Sequence, residues 1–369
     1  MHVTYLSIDS IDEGIGQSQI LQLIKKIVKS GIKVKLVSFE KKQIRQDLVA
    51  ELELIGIEWQ HFPFDDNFFF GTLKRIRILM KCIYNTDVVH ARGDIPALAA
   101  LLSRKAPVLW DIRGMWSEQR IVIESNIIKK IVFRMFILLR RIMLNRVDSI
   151  TTLSSVHDDY LIDKYGRVPL NRNVISTCVE TEKFENIKNM PKKVIILISG
   201  TYNNYYDRES TSTFINEFSK KIENTIIWAR PQETSEINIG DLEYSIINAT
   251  YEQMPQIIAD SSFGVAICKN TNGVASLGVM PTKIAEFLAC GRPVVISENM
   301  GDYDKLLSQY KAGVVLRKGN ESEAVDEIIK LINDQKTSAN CRKLALDHFD
   351  LNMGVKKYIS LYTSLLNRR

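Results

Sequence analysis

The chain has 369 residues, 45% apolar and 25% charged, which is the balance of a soluble globular protein and exceeds what one ordinary hydrophobic core needs, so about two domains are expected. No uncharged apolar run is long enough to span a bilayer, and the opening MHVTYLSI enters a strand pattern with no apolar signal region, which predicts a cytoplasmic protein. The formal charge of +6 falls in residues 1–183, with 27 Lys and Arg against 21 Asp and Glu, while the remainder balances 22 against 22. Such a surface suits phosphorylated substrates, anionic lipid or nucleic acid, and charge by itself does not choose among them.

Strand and helix signals alternate from the first residue, the pattern of an α/β protein built on parallel sheets. Strands are predicted at 3–8 and 33–39, around a helix at about 17–30, and then at 87–91, 107–112 and 149–154. A long helix is predicted over 127–146, IIKKIVFRMFILLRRIMLNR, with six cations and no acid. Its apolar arc (Ile128, Ile131, Met135, Leu138, Leu139, Ile142) is expected to pack inward. Lys129, Lys130, Arg134, Arg140 and Arg141 would then face solvent or an anionic lipid surface. A second series of strands follows at 192–200, 224–230, 244–248, 263–269, 293–297 and 312–316. The polar stretch TEKFENIKNMP (181–191) between the two series is the expected linker. Five scattered cysteines, Cys82, Cys178, Cys268, Cys290 and Cys341, lack metal-type spacing and read as reduced thiols.

Chemistry concentrates where strands end. The loop EGIGQSQ after the first strand leads Gly14, Gly16, Gln17 and Ser18 into a helix, where glycines let backbone approach a phosphate or sugar. The same loop with Glu40 weakly resembles a dinucleotide fingerprint, but Gln19 stands where the third glycine belongs. In VLWDIRGMW, Asp111, Arg113 and Trp116 emerge just past a buried strand. There Arg113 suits a phosphate or carboxylate, Asp111 a hydroxyl or the arginine itself, and Trp116 a sugar ring. His90 ends the strand DVVHA in a similar position; a lone histidine is more often structural than catalytic. In the second series GTYNNYYDRE places Gly200, Tyr206, Asp207 and Arg208 after a strand, and Arg230 and Lys269 terminate two others.

The most informative stretch is MPTKIAEFLACGRPVVIS (280–297). Pro281 suits a helix start and Gly291 a left-handed stop, so a helix is predicted over about 281–290. Thr282 lies in its first turn. Lys283 and Glu286 share one face and Ile284, Phe287 and Leu288 another, and PVVIS reads as a buried parallel strand. The helix N-terminus then lies beside strand ends, where phosphates bind in open α/β sheets.

Together PTKIAEFLACGRPVV, the GIGQSQ loop, DIRGMW, ISTCVETEKF (175–184) and the closing FDLNMGVKKYISLY (349–362) resemble the retaining nucleotide-sugar glycosyltransferases of the GT-B fold, family four. The resemblance covers nearly the whole chain. It implies an α/β GT-B architecture of two tandem Rossmann-like domains around an interdomain cleft. These would be an acceptor-side domain over 1–183, a nucleotide-sugar domain over 184–345, and a C-terminal helix, 346–369, crossing back to the first. It also implies that Glu286 holds the donor ribose and that the glycine loop closes on the donor phosphates.

The donor side comprises Gly14, Gly16, Gln17, Arg208, Arg230, Lys269, Thr282, Lys283 and Glu286. Asp111 and Arg113 are the catalytic candidates, and His90, Trp116, Lys130, Arg134 and Arg141 the acceptor or membrane side. The implied reaction moves a sugar from a nucleoside diphosphate sugar to an acceptor hydroxyl with retention, with no metal and no cofactor. The expected acceptor is a glycan or lipid-linked saccharide of surface polysaccharide assembly at an anionic inner-membrane surface, and no nucleic acid is a partner. The chain departs from the family pattern at Gly278, where an E-x7-E pair would place a glutamate, and at TYNNYYD, where an Arg and a Lys are usual. Two other readings remain: a nucleotide-sugar epimerase of the same fold, and a degenerate nucleotide-sugar-binding subunit.

Overall fold

Strands rich in Val, Ile and Leu on both faces can hide both only in a parallel sheet layered between helices, and both halves of the chain adopt this arrangement. The computed structural model describes all residues except 13, 186–189, 200–205, 231–242, 270–272 and 368–369, and the side chains of Val122, Arg230 and Ala275 are likewise outside the described set. Gly200 therefore lies outside the described residues. The chain divides into two compact units, Met1–Ser176 together with Asn352–Arg369, and Thr177–Leu351.

The first unit holds β1 (His2–Leu6), β2 (Lys33–Glu40), β3 (Ile57–Pro63), β4 (Val88–Arg92), β5 (Val108–Asp111), β6 (Ser149–Thr152) and β7 (Arg172–Val174). All pair in parallel, in the order β3-β2-β1-β4-β5-β6-β7. Its helices are α1 (Gln22–Lys29), entered through a π-helical turn at Gly16–Leu21, α2 (Gln46–Leu54), α3 (Phe68–Cys82), α4 (Asp94–Ser103), α5 (Trp116–Ile123), α6 (Ile127–Leu144) and α7 (Ser155–Tyr165). The second unit holds β8 (Ile195–Ser199), β9 (Ile226–Arg230), β10 (Ser245–Ile246), β11 (Phe263–Ala266), β12 (Val294–Ser297) and β13 (Gly313–Leu316), parallel in the order β10-β9-β8-β11-β12-β13. Between and after them lie α8 (Arg208–Lys221), α9 (Met254–Asp260), α10 (Thr282–Ala289), α11 (Tyr303–Tyr310), α12 (Glu321–Asn333), α13 (Thr337–His348) and α14 (Leu351–Leu366).

The sequence pattern does not announce β3 and β7, the two edges of the first sheet. In β3 an edge position leaves Glu58, His61 and Pro63 exposed, so no apolar run forms, and β7 is only 3 residues long. The C-terminal helix α14 belongs to the first unit, as expected. Its Tyr358 and Tyr362 are buried against His90, with ring centroids 5.0 and 5.9 Å away, and Lys357 Nζ donates to the Val174 carbonyl at 3.0 Å.

Helix α6 is turned the opposite way from expectation. Ile128, Ile131, Met135, Leu138 and Ile142 are exposed, whereas Phe133, Arg140, Met143 and Leu144 face inward. The cause is Arg140, 1% exposed, whose guanidinium forks onto Glu118 at 2.5 and 3.0 Å and reaches Asp94 at 3.5 Å. Burying that cation with two carboxylates from α4 and α5 fixes the rotation of the helix, and the strictly apolar stripe is left outside. Arg134 and Arg141 are exposed as anticipated, and Lys130 is half-buried. Arg140→Ala leaves the buried Asp94 and the half-buried Glu118 without their shared cation. It is expected to lower unfolding free energy by about 3–5 kcal/mol, read by urea denaturation; a loss below about 1 kcal/mol would show that the cluster does not anchor α6.

Candidate active site in two halves

In a doubly wound sheet ligands bind at the carboxyl ends of the strands where the order reverses, because only there do the two flanking loops diverge and leave a crevice. In the first unit the reversal lies between β1 and β4. Arg92, the last residue of β4, donates through Nε to Asp9 at 3.1 Å and through Nη2 to the Gln19 side-chain carbonyl at 2.7 Å; Arg113 Nη2 donates to the same oxygen at 3.0 Å. Two guanidiniums thus converge on one amide oxygen at the head of the first helix.

Asp111 lies beneath them, 1% exposed, 3.7 Å from Arg113, 3.8 Å from Arg92 and 3.4 Å from His90 Nε2, and accepts from the Thr151 hydroxyl at 2.8 Å. Burial by itself would raise its carboxyl, but Arg113, His90 and Arg92 together hold it well below the usual carboxylate range. Asp111 is therefore an ionised positioning group under the arginines and not exposed to an acceptor hydroxyl. His90 is corrected in the same way: it is fully buried, 2.6 Å from the Tyr362 hydroxyl through Nδ1 and packed on Tyr5, and burial, against the pull of Asp111, lowers its pKa. It ties the sheet to α14 and presents nothing to the acceptor side. Trp116, half-buried, packs edge-on against Phe133 at 5.2 Å and Phe136 at 6.0 Å, so its ring contributes to the α5–α6 contact.

The glycine loop is shaped by close packing. A Cβ on Gly16 would stand 1.9 Å from the Ser10 carbonyl oxygen, and Gly14 adopts φ 45°. Glu40 accepts from the Ile11 amide at 3.0 and 3.1 Å and from the hydroxyls of Ser10 and Ser38, so its carboxylate is used to hold this loop. That accounts for Glu40 without a dinucleotide. Gln17 is half-buried, and its carbonyl accepts from Gln22 at 3.3 Å. Gln19, Arg92 and Asp9 carry the polar network; the sequence marks Gln19 only as the residue in place of a third glycine, and Arg92 and Asp9 not at all. Arg92 does obey the rule applied to Arg230 and Lys269, a charged residue ending a buried strand.

In the second unit the reversal lies between β8 and β11. Helix α10 starts here, its N-cap Pro281 supplying no side-chain cap, and all eight residues are buried, Thr282, Lys283 and Glu286 included. Lys283 Nζ donates to the carbonyl of Ser199, the last residue of β8, at 2.7 Å and lies 3.9 Å over the Tyr206 ring. Tyr206 is held in place by a bridge to Cys268, just past β11, whose amide donates to Ser297 at 3.1 Å. Burial, only partly offset by Cys268 and Glu286, lowers Lys283 to about 8. Glu286 lies one turn further along the helix. Burial, and then this carboxylate, push the phenols of Tyr251 and Tyr303 well above their ordinary range, and Tyr303 donates to the Pro281 carbonyl at 3.2 Å.

The other donor-side cations are less enclosed. Arg208 is exposed in the first turn of α8, whose N-cap Asp207 accepts from the Ser210 amide at 3.0 Å, and Lys269 is exposed beyond β11. Arg230 ends β9 opposite Ser199 in the register, but its side chain lies outside the described residues. Gly278 is buried. Among the described residues no group of three or more His, Cys, Asp or Glu is arranged to hold a metal ion.

Residues 16–183 match the family described as Glycosyltransferase Family 4, and residues 248–347 the one described as Glycosyl transferases group 1. No curated protein matches the chain in sequence. Solved structures that resemble it include sucrose-phosphate synthase from Thermosynechococcus elongatus, with TM-score 0.73, 12% identity and 100% of both chains covered. Another is the Anabaena protein HepE in complex with UDP and glucose, with TM-score 0.70, 13% identity, and 98% of this chain and 99% of that one covered. A third is WaaG, a glycosyltransferase involved in lipopolysaccharide biosynthesis, with TM-score 0.66, 10% identity, and 98% and 99% covered. At these identities the structural likeness is one of fold. The two family matches supply the chemistry, one in each Rossmann-like half, and the chain is accordingly a glycosyltransferase of the GT-B fold.

Proposed function

We propose that the protein transfers a sugar, with retention of anomeric configuration, from a nucleoside diphosphate sugar to a hydroxyl of a lipid-linked saccharide in surface polysaccharide assembly, at the cytoplasmic face of a membrane. The observation that carries the donor assignment is the pairing of Lys283 and Glu286 on one buried helix whose N-terminus opens at the β8–β11 reversal. Lys283 would meet the diphosphate, and Glu286, one turn away, would accept from the ribose hydroxyls. Arg208, Arg230, Lys269 and the amides at Thr282 would add to the charge that stabilises the departing diphosphate, so the proposal assigns no part to a metal ion. HepE, solved with UDP and with UDP-glucose, supports a nucleotide of this class.

On the acceptor side Arg113 and Arg92, fixed by Asp111, Asp9 and Gln19, would orient an anionic or polar acceptor group. The acceptor oxygen bonds to the anomeric carbon as the carbon–phosphate oxygen bond breaks, and the acceptor proton passes to the leaving phosphate, so no general base is needed. A binding subunit without turnover is the second reading. It is favoured by Gly278, which offers no side chain where the family pattern has a glutamate.

A panel of nucleoside diphosphates should raise the melting temperature for at least one base, and no rise for any of them would refute the donor site. Glu286→Ala should weaken that nucleotide about tenfold or more, the loss of charge-assisted hydrogen bonds worth about 1.5–3 kcal/mol; unchanged affinity by calorimetry would remove the ribose role. Sugar transfer from the matching donor is expected to survive chelation by EDTA, and its abolition with rescue by a divalent ion would overturn the metal-free assignment. Hydrolysis or transfer absent for every donor that binds would favour the second reading.

Lys283 also makes a pH prediction. Its folded pKa of about 8 lies below the value of an unfolded lysine, so the unfolded chain holds the proton more tightly. The stability cost is complete below pH 8 and is relieved as pH rises from there to about 10.4. Lys283→Met should therefore gain about 1–3 kcal/mol at pH 7 while losing nucleotide binding. Urea unfolding of both proteins at pH 7 and pH 9.5 measures it, and a variant less stable than the parent at pH 7 would contradict the assignment.

A further inference from the structure

Among the described residues, exposed large apolar side chains gather on two helices of the first unit. On α6 the exposed Ile128, Ile131, Met135, Leu138 and Ile142 fall on an arc of roughly 80° at 100° per residue, and Leu138 is 74% exposed. Arg134 and Arg141, both exposed, run along one border of this arc. On α3, Phe69, Phe70 and Leu73 are exposed in the first turns, Phe70 at 76%, beside exposed Lys74, Arg77 and Lys81.

The two patches are neighbours. Phe68 at the head of α3 meets Phe133 of α6 edge-on at 5.4 Å, and Lys129 lies 5.7 Å over the Phe68 ring. Asn67 and Asn126 cap both helices by accepting from amides of the first turn, so the apolar residues start where each helix starts. A shallow groove on α3, lined by Phe70, Leu73, Lys74, Arg77, Ile78 and Lys81, continues the surface. Neither helix contains an Asp or Glu.

We infer that α3 and α6 together form an interfacial surface that inserts its apolar residues among the acyl chains of an anionic bilayer while the bordering cations meet the headgroups. The reason is charge as well as apolar area. A protein partner would have to supply acidic groups along both borders, whereas an anionic leaflet offers negative charge everywhere around a shallow apolar insertion. No helix among the described residues is long and apolar enough to cross a membrane, so the attachment is one of lying on the surface. The inference rests on the membrane-bound acceptor proposed above, and it replaces the expected contact, a basic arc alone, by one in which the apolar stripe makes the insertion.

The test is co-sedimentation of the full-length chain with vesicles of phosphatidylglycerol and phosphatidylethanolamine, and with phosphatidylcholine vesicles as the neutral control. Binding is expected to the anionic vesicles, with partition lowered about tenfold or more by Ile131→Asp with Leu138→Asp, and also by Phe70→Asp with Leu73→Asp. Arg134→Gln with Arg141→Gln should lower it several-fold and flatten its salt dependence. Each variant must retain the parent's melting temperature and its stabilisation by nucleotide.

Parent protein that fails to bind anionic vesicles, or aspartate variants that bind as the parent does, would overturn the inference. So would a concentration-dependent dimer in sedimentation velocity that the same aspartates dissociate, since the occupant would then be a second copy. Loss of vesicle binding with nucleotide stabilisation intact concerns this surface only, whereas absence of nucleotide stabilisation with vesicle binding intact concerns the transferase reading only.

Discussion

A parallel sheet buried on both faces leaves charged side chains very few places to go. Its strands must be apolar along their length, its crossover helices cover both sides, and polar groups can emerge only at strand ends. Where strand order reverses, between β1 and β4 and again between β8 and β11, the loops part and the emerging groups converge. The charged groups of both half-sites follow from that constraint. Arg92 and Arg113 end or follow β4 and β5, and Lys283 closes on the carbonyl that ends β8.

The two halves handle their charges differently. In the first, the guanidiniums of Arg92 and Arg113 are balanced by Asp9 and Asp111 and share the Gln19 oxygen, an arrangement that fixes direction with little net charge. In the second, Lys283 is an enclosed ammonium whose immediate partners are a carbonyl and an aromatic face, neither of which neutralises it. A cation kept in that state is costly to the fold and favourable to an incoming anion, the trade expected where a diphosphate departs. Glu286 is buried one turn further along the same helix, so in the proposed reading charge stabilisation and hydroxyl recognition would fall on separate side chains.

Helix α6 shows the same economy of charge deciding an orientation. Hydropathy alone favours the stripe of Ile128, Ile131, Met135, Leu138 and Ile142 as the packed face. A single arginine pairing with Glu118 and Asp94 instead turns that face outward, since the carboxylates of α4 and α5 would otherwise be buried without a partner. The surface so exposed joins that of α3 through Phe68 and Phe133.

The sequence by itself determined the α/β class, the two series of strands, the helix at 281–290, the positions of Lys283 and Glu286 on it, and the return of the last helix. All but the last follow from local periodicity, Pro and Gly punctuation and motif spacing, and the return of the last helix is what the family resemblance implies. Tertiary structure alone decided the edge strands β3 and β7, whose half-exposed residues carry no apolar run. It alone also decided the network of Asp9, Gln19 and Arg92, drawn from segments up to 83 residues apart. The burial of Asp111 and His90 and the outward face of α6 belong with these. The deciding contacts, backbone pairing for the edge strands and side-chain pairing for the others, join segments distant in the chain, and a pattern read along the chain has no access to which carboxylate an arginine will meet.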